Sequence, residues 1–267
     1  MTAMARFLAF QLYAPIAAMG DIAVGERRTV WPRPARSAVF GLVAAALGIE
    51  REDAAAHEAL EAGYRFAVAT LAAGRPLRDF HTVQTVPARG IREIGRTSRR
   101  AEVEWLERNP NVNPIVSLRD YRTDTFFVVA LYPRENARWS IDELRDALRR
   151  PVFALYFGRR ACPLALPLAP SVEEADDIVA AVAAYLAGLK ARNGDPAAVL
   201  GLDSHSRWTV PERPSSLAVD EDLPLPPANR PHRIEERRDA VRSRTPPRRF
   251  APRRERILIL ESPETEP

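Results

Sequence analysis

The sequence predicts an α+β fold of the ferredoxin-like type, to which RNA-recognition modules also belong. Alternating or continuous apolar residues predict strands at 5–13, 64–71 and 125–132. A helix is predicted between the first two strands and another after the third, and an apolar run at 152–157 predicts a further strand. The resulting order, strand, helix, strand, strand, helix, strand, indicates this fold class.

The first predicted helix follows a stiff, basic segment. Pro32 and Pro34 favour extended backbone, Ser37 is a candidate N-cap, and Gly48 ends the helix. Because helix N–H groups and arginines both attract anions, Arg36 beside this N-terminus is a candidate phosphate site. A capped core helix with solvated arginines accounts for the same residues, and the sequence leaves both interpretations open.

A long basic segment separates the second predicted strand from the third. A short helix at 51–63 precedes the strand at 64–71, after which the chain carries His81 and arginines at positions 78, 89, 92, 96, 99 and 100. About forty residues between two core strands is too long for a plain connection in a compact domain. We therefore predict that residues 82–118 form a projecting arm.

Two serines that stand three residues before a glutamate predict capping boxes. Ser140 with Glu143 opens a helix at 141–149. Ser171 with Glu174 opens a longer helix.

A glycine and two arginines follow the predicted strand at 152–157. Gly158, Arg159 and Arg160 can cradle a phosphate with backbone N–H and guanidinium groups. A turn with two solvated arginines explains the same residues equally well.

Positive charge is concentrated in the last part of the chain. Residues 225–267 contain 11 of the 39 basic side chains and 7 of the 35 acidic ones, so the preceding part is balanced. We predict an RNA-recognition-like domain at 1–81 and 119–224, the arm at 82–118, and a basic, Pro- and Arg-rich C-terminal extension at 225–267.

Two late segments have weaker patterns. His205 to Val210 is consistent with a short strand. Ile257 to Leu260 is either a late strand or a disordered end.

Composition excludes several kinds of site. Cys162 is the only cysteine, which rules out an internal disulfide and a multi-cysteine metal site. No apolar run approaches the roughly 20 residues that cross a bilayer, and the N-terminus has no signal-peptide pattern. We expect a cytoplasmic protein with no metal, no cofactor and no membrane partner.

Six segments together resemble the CasD family, a subunit of the type I-E CRISPR surveillance complex Cascade, within the RAMP superfamily. In chain order they are APIAAMGD at 14–21, GERR at 25–28, PARSAVFGLVAAALGI at 34–49, DFHTVQT at 79–85, SLRDYRTDTFFVVAL at 117–131 and YFGRRACPL at 156–164. Their order and spacing agree with the family over about residues 5–170.

This resemblance implies a noncatalytic RNA-binding subunit of an antiviral complex, which grips the 5′ handle of the guide RNA (crRNA). The arm would act as a thumb that packs on the CasC backbone subunit, and the CasA large subunit would sit against the domain. Target DNA would be met only indirectly, through the complex. The residues that the resemblance places on the handle are Arg27, Arg36, Ser37, His81, Arg119, Tyr121, Arg159 and Arg160.

The alternative is a metal-independent endoribonuclease that processes CRISPR repeat RNA, as type I-C relatives of this family do. Such an enzyme needs a base and an acid, commonly drawn from His, Tyr and Lys. Lys190 is the only lysine, and the histidines at 57, 81, 205 and 232 are scattered along the chain. A lone His81 is more simply explained by base recognition or a structural hydrogen bond, so we predict no catalytic residue.

Overall fold

The computed structural model describes residues 4–21, 26–95, 98–194, 196–201, 211–225, 232–243 and 249–260. The strands and helices follow one another as β1 (Ala5–Ala17), β2 (Arg27–Arg28), α1 (Arg36–Leu47), α2 (Ala54–Ala62), β3 (Tyr64–Ala72), β4 (Arg75–Val83), α3 (Ala88–Ile94), α4 (Arg99–Arg108), β5 (Ile115–Pro133), α5 (Ile141–Arg149), β6 (Ser171–Ala175), α6 (Ile178–Asn193), α7 (Pro196–Val199), β7 (Ser216–Asp220), β8 (His232–Ser243) and β9 (Arg249–Ile259).

One large, mainly antiparallel sheet organises this mixed α/β fold. Its strand order is β6-β1-β5-β3-β7-β9-β8, with antiparallel neighbours throughout, while β2 and β4 pair with β5 beside this path. The strands predicted at 5–13, 64–71 and 125–132 are confirmed as parts of β1, β3 and β5. These strands form the centre of the sheet, which is why their apolar residues are buried.

Both faces of the sheet are covered by apolar side chains. On one face, Phe10 and Phe66 share a core with Val43 of α1 and Leu144 of α5. On the other face, the ring of Tyr185 on α6 is buried in a second core. None of the helices in the described ranges is long and apolar enough to span a bilayer.

The prediction of a strand at 152–157 is wrong, because the structure has no strand there. The N–H groups of Val152 and Phe153 donate to the carbonyls of Ala46 and Ala45 at the end of α1, both at 3.1 Å. This segment therefore donates to carbonyls of the last turn of the helix, and both of its apolar side chains stay exposed.

The capping box predicted at Ser171 and Glu174 is also wrong. Both residues lie in β6, which pairs with the edge of β1. The helix begins later, where the side chain of Asp177 accepts hydrogen bonds from the N–H groups of Val179 and Ala180.

The other predicted helix starts have mixed outcomes. The capping box of Ser140 and Glu143 is confirmed, with both reciprocal bonds present. Ser37 is not an N-cap, because α1 begins at Arg36. The carboxylate of Asp239 on β8 accepts from the Arg36 N–H at 2.9 Å and serves this helix end instead.

The predicted C-terminal extension contributes strands to the main sheet. The strands β8 and β9 form a hairpin, and β9 pairs with β7, so the late strand at 257–260 is confirmed up to Ile259. The strand β7 had no clear sequence signal, because the surrounding segment is rich in proline and acidic residues. The short strand predicted at 205–210 lies outside the described residues.

A two-stranded ribbon extends from the centre of the sheet and carries α3 and α4. It consists of β4 and residues 115–123 of β5, which pair from Arg75 with Thr123 to Val83 with Ile115. The ribbon joins the sheet at Gly74 and Asp124, which both have positive φ angles, 74° and 54°. A Cβ atom at Gly74 would lie 2.1 Å from the carbonyl oxygen of Thr123, so this joint requires glycine.

Candidate nucleic-acid interface

The ribbon presents two distinct faces, because side chains alternate along each strand and paired residues point the same way. The histidine face carries residues 77, 79 and 81 of β4 with 117, 119 and 121 of β5. The phenylalanine face carries residues 78 and 80 of β4 with 118 and 120 of β5. The short strand β2 runs along the other side of β5, which adds Arg28 to the first face and Arg27 to the second.

The histidine face brings three of the sequence-predicted residues together. His81 pairs with Ser117, Tyr121 pairs with Leu77, and Arg119 lies between them on β5. All three side chains are partly exposed. Arg119 and Tyr121 are two residues apart on β5, and His81 lies on the paired strand with its side chain on the same face. The face therefore presents an imidazole, a guanidinium and a phenol ring.

A tight turn carries Arg159 and Arg160 and brings Arg159 to this face. The N–H of Phe157 donates to the carbonyl of Cys162 at 2.7 Å, and the N–H of Cys162 donates to the carbonyl of Arg159 at 2.8 Å. Burial raises the pKa of the Cys162 thiol, so this side chain acts as a small apolar anchor for the turn.

The turn is held against the end of β1 by a close backbone approach. The N–H of Ala18 donates to the carbonyl of Phe157 at 3.1 Å. Gly158 has a φ of 90°, and a Cβ atom there would lie 1.9 Å from the carbonyl oxygen of Ala18. The glycine in the Gly-Arg-Arg segment is therefore required for packing as well as for the turn.

Arg159 contacts the histidine face directly. Its guanidinium carbon lies 4.5 Å from the centre of the Tyr121 ring. The Nη1 atom of Arg159 is buried and has no hydrogen-bond partner in the described part of the chain. A buried cationic donor without an acceptor is costly. Because the Arg159 side chain as a whole is partly exposed, its guanidinium group is suited to an anionic ligand such as a phosphate. The neighbouring Arg160 is exposed.

Arg27 lies on the phenylalanine face instead. Its Nε and Nη2 both donate to Oδ2 of Asp120 at 3.2 Å, while Nε of Arg78 donates to Oδ1 at 2.8 Å. The hydrogen bond from Arg78, followed by that from Arg27, holds the pKa of the Asp120 carboxyl below its ordinary value. The carboxylate thus fixes two arginines side by side.

Arg36 and Ser37 do not join either face of the ribbon. The Arg36 side chain is directed into the protein, where Nε donates to Asp220 at 3.3 Å and Nη2 donates to the carbonyls of Glu61 and Tyr64 at 2.6 and 3.0 Å. Ser37 follows it on α1. The anion that the sequence predicted at this helix N-terminus is supplied within the chain, by Asp239.

A buried ionic network around Arg36 ties the C-terminal hairpin to the core. Arg253 on β9 donates to Asp220 and Asp239 at 2.9 to 3.1 Å, and to Glu255 at 2.8 Å. Burial alone would lower the pKa of the Arg253 guanidinium. The hydrogen bond to Asp239 and the negative charges of the surrounding carboxylates outweigh this effect, so the pKa is raised. The remaining arginines of the network also have structural partners, since Arg33 pairs with Glu255 and Arg237 donates to backbone carbonyls.

Sequence reasoning missed Arg28, Arg78 and Asp120 as members of this region. The alternation of ribbon residues could have placed Arg78 and Asp120 on one face, but only if the pairing of β4 with β5 were known. Among the described residues, no cluster of three or more His, Cys, Asp or Glu side chains has the geometry to hold a metal ion.

Comparisons with known proteins agree on one group. The chain matches the family model described as CRISPR-associated protein (Cas_Cas5) over residues 7–254. It is 32% identical to the CRISPR system Cascade subunit CasD of Escherichia coli (strain K12) over 182 residues, which are 65% of this chain and 74% of that protein.

Two solved structures are similar in fold. One is described as a CRISPR RNA-guided surveillance complex, with a TM-score of 0.55 and 24% identity over 95% of this chain and 89% of that chain. The other is described as a crystal structure of a Cas protein, with a TM-score of 0.53 and 21% identity over 95% of this chain and 94% of that chain.

Proposed function

Because this chain belongs to the Cas5 family of CRISPR-associated proteins, we propose that it is a noncatalytic subunit of a type I-E Cascade complex. In this role it binds the 5′ handle of the crRNA and serves in antiviral defence. The CasD subunit of the Escherichia coli complex is the relative on which this assignment rests.

The observation that carries the RNA-binding role is the position of Arg159, which lies against Tyr121 and has a donor with no partner among the described residues. The Arg159 side chain is partly exposed, so a phosphate next to Tyr121 would accept hydrogen bonds from its guanidinium group. Arg guanidinium groups bind phosphate oxygens strongly, often through two N–H groups at once. Because Arg159 also lies against a tyrosine ring, the same place suits a stacked base.

We propose that the handle runs along the histidine face. The contact set consists of Arg28, His81, Arg119, Tyr121, Arg159 and Arg160. Arg27 approaches RNA from the other face of the ribbon. We place Arg36 and Ser37 outside the contact surface, because Arg36 is already bound by Asp220 and two backbone carbonyls.

We assign the rest of the fold by the same family relationship. The strand order β6-β1-β5-β3 supports a ferredoxin-like arrangement, and we propose that these strands are the RNA-recognition-like part. The ribbon with α3 and α4 is the proposed thumb, which packs on the CasC backbone subunit. The CasA large subunit sits against the domain, and target DNA is met only through the assembled complex.

The placement of the histidines supports a noncatalytic role over endonuclease activity. His81 is on the ribbon, whereas His57 is buried on α2 and His232 is on β8. Lys190, on α6, pairs with Glu212 at 3.2 Å. The described residues therefore do not combine His81 with a second histidine or the lysine as an acid and base pair. Tyr121 shares the histidine face but pairs with Leu77, four residues from His81 along β4, which is a separation of roughly 13 Å along the strand.

The test is to incubate the purified chain with its CRISPR repeat RNA without metal, and to co-express it with the other Cascade subunits. We expect intact RNA, a retarded RNA band, and co-purification of the chain with a crRNA-containing complex. A cleaved product that disappears in His81→Ala would contradict the noncatalytic role. Failure to bind both the RNA and the complex would contradict the proposal as a whole.

A further inference from the structure

An aromatic side chain is displayed on the phenylalanine face of the ribbon. Phe80 is 65% exposed, the same fraction as Val152 and more than any other large apolar side chain in the described residues. It pairs with Leu118, so its ring lies beside an apolar neighbour on a stiff, hydrogen-bonded strand. A large aromatic ring held in this way is suited to contact a ligand.

Two arginines lie next to this ring. Arg78 is two residues away on the same strand and face, and Arg27 pairs with Leu118 from the opposite side. About half of each arginine side chain is exposed, although both bind the largely buried carboxylate of Asp120. One carboxylate thus orients two guanidinium groups while their remaining N–H groups face solvent.

We propose that the phenylalanine face binds one nucleotide of single-stranded RNA, whose base stacks on Phe80 and whose flanking phosphates pair with Arg27 and Arg78. This site is distinct from the handle contacts on the histidine face. It rests on the proposed function, because the bound crRNA is what brings a single strand to the ribbon. A ring with cationic groups beside it is the arrangement that single-strand binding proteins use without reading sequence.

The charge on this face favours RNA over a protein partner. Arg27 and Arg78 carry two positive charges and Asp120 carries one negative charge, so these three residues leave an excess of positive charge on the face. An apolar protein surface that covered Phe80 would remove these arginines from water without supplying acceptors, which is unfavourable. Phosphates supply the acceptors, and a base covers the ring.

The experiment measures stacking on Phe80 with the full chain. CRISPR repeat RNAs that each carry one 2-aminopurine, at successive positions, are bound to the wild-type chain and to Phe80→Leu. Leucine keeps the apolar surface but removes the aromatic ring. We expect one position to be strongly quenched by the wild type, the quenching to be lost in Phe80→Leu, and the affinity to fall about tenfold. Phe250→Leu is the matched control, because Phe250 is an exposed ring on β9 and should leave both readings unchanged.

The arginines are tested by salt dependence. In Arg78→Gln, the slope of log K against log salt should fall by about 0.7, the value for one phosphate on a single strand. Unchanged quenching and affinity in Phe80→Leu, while substitutions on the histidine face still weaken binding, would overturn this site and leave the proposed function standing. If Phe80→Leu weakens binding of the chain to the assembled complex but leaves its binding to free RNA unchanged, the phenylalanine face binds a protein partner. That result would also overturn the proposed site. Absence of RNA binding by the wild type, both alone and in the assembled complex, would refute both proposals.

Discussion

The guanidinium group of Arg159 lies over the ring of Tyr121, with 4.5 Å between the guanidinium carbon and the ring centre. This contact connects the turn at 157–162 with the ribbon. The Nη1 atom of Arg159 is buried and has no hydrogen-bond partner within the described ranges. The position of this cation is therefore set by a ring on another element, and we propose that its remaining hydrogen-bonding capacity serves a phosphate.

Substitution of Tyr121 should separate the role of its ring from that of its hydroxyl. In Tyr121→Ala, Arg159 loses its support, and handle affinity should fall about threefold to thirtyfold, the range of one cation–π contact. Tyr121→Phe keeps the ring and should bind within about twofold of the wild type. Fluorescence anisotropy with labelled repeat RNA measures both. Equal losses in the two variants would show that the hydroxyl, and not the ring, matters.

Gly158→Ala should destabilise the turn that carries the arginines. A positive φ costs a side-chain-bearing residue roughly 1–2 kcal/mol, and the new Cβ atom would also meet the Ala18 carbonyl at 1.9 Å. We expect a lower free energy of unfolding in urea and weaker RNA binding. In the control Gly20→Ala, nothing lies within 4 Å of the new Cβ atom, so stability should be nearly unchanged. Equal stability of both variants would contradict the tight approach of the turn to β1.

Arg36→Ala should affect stability and not RNA affinity. It removes buried hydrogen bonds to Asp220 and to the carbonyls of Glu61 and Tyr64, which should cost about 2–4 kcal/mol. Arg6→Ala is the control, because Arg6 forms an exposed ion pair that contributes about 0–1 kcal/mol. Urea unfolding and RNA titration of the folded variants measure the two effects. A stable Arg36→Ala protein with weakened RNA binding would place Arg36 on the handle after all.

The stabilising effect of Glu143 should depend on pH. Hydrogen bonds from the backbone and side chain of Ser140 lower the pKa of the Glu143 carboxyl. A carboxyl whose pKa is lowered in the folded state stabilises the fold above its unfolded pKa, and this contribution is lost as pH falls through its folded pKa. The free energy of unfolding of Glu143→Gln should therefore be below that of the wild type near neutral pH, and the two should converge in acid. A difference that stays constant from neutral to acid pH would contradict this origin.

The core strands could be predicted from the sequence because their signal is local. Continuous or alternating apolar residues at 5–13 and 125–132 correspond to strands that are buried in the centre of the sheet. The apolar run at 152–157 has the same local pattern but different surroundings. The Val152 and Phe153 N–H groups bind carbonyls of α1, so long-range packing overrides the strand preference there.

The site was only partly predictable for a related reason. His81, Arg119 and Tyr121 lie in segments that were singled out from the sequence, and the ribbon pairing brings them onto one face. The partners of Arg36 could not be foreseen, because Asp220 and Asp239 are about two hundred residues away along the chain. A sequence pattern shows that an arginine is near a helix end, but not whether its anion comes from the protein or from a ligand.

The role of the histidine face in RNA binding is best measured by the salt dependence of handle binding in a double variant, Arg119→Ala with Arg159→Ala. Both arginines border the proposed path of the handle, so we predict weaker binding and a slope of log K against log salt that falls by about 0.7 for each lost phosphate contact. The control is Arg6→Ala with Arg138→Ala, since Arg138 stacks on Trp139 at 4.8 Å, away from the ribbon. The control should retain the wild-type affinity and slope. Wild-type affinity and slope in the Arg119 and Arg159 double variant would contradict the assignment of the histidine face to RNA.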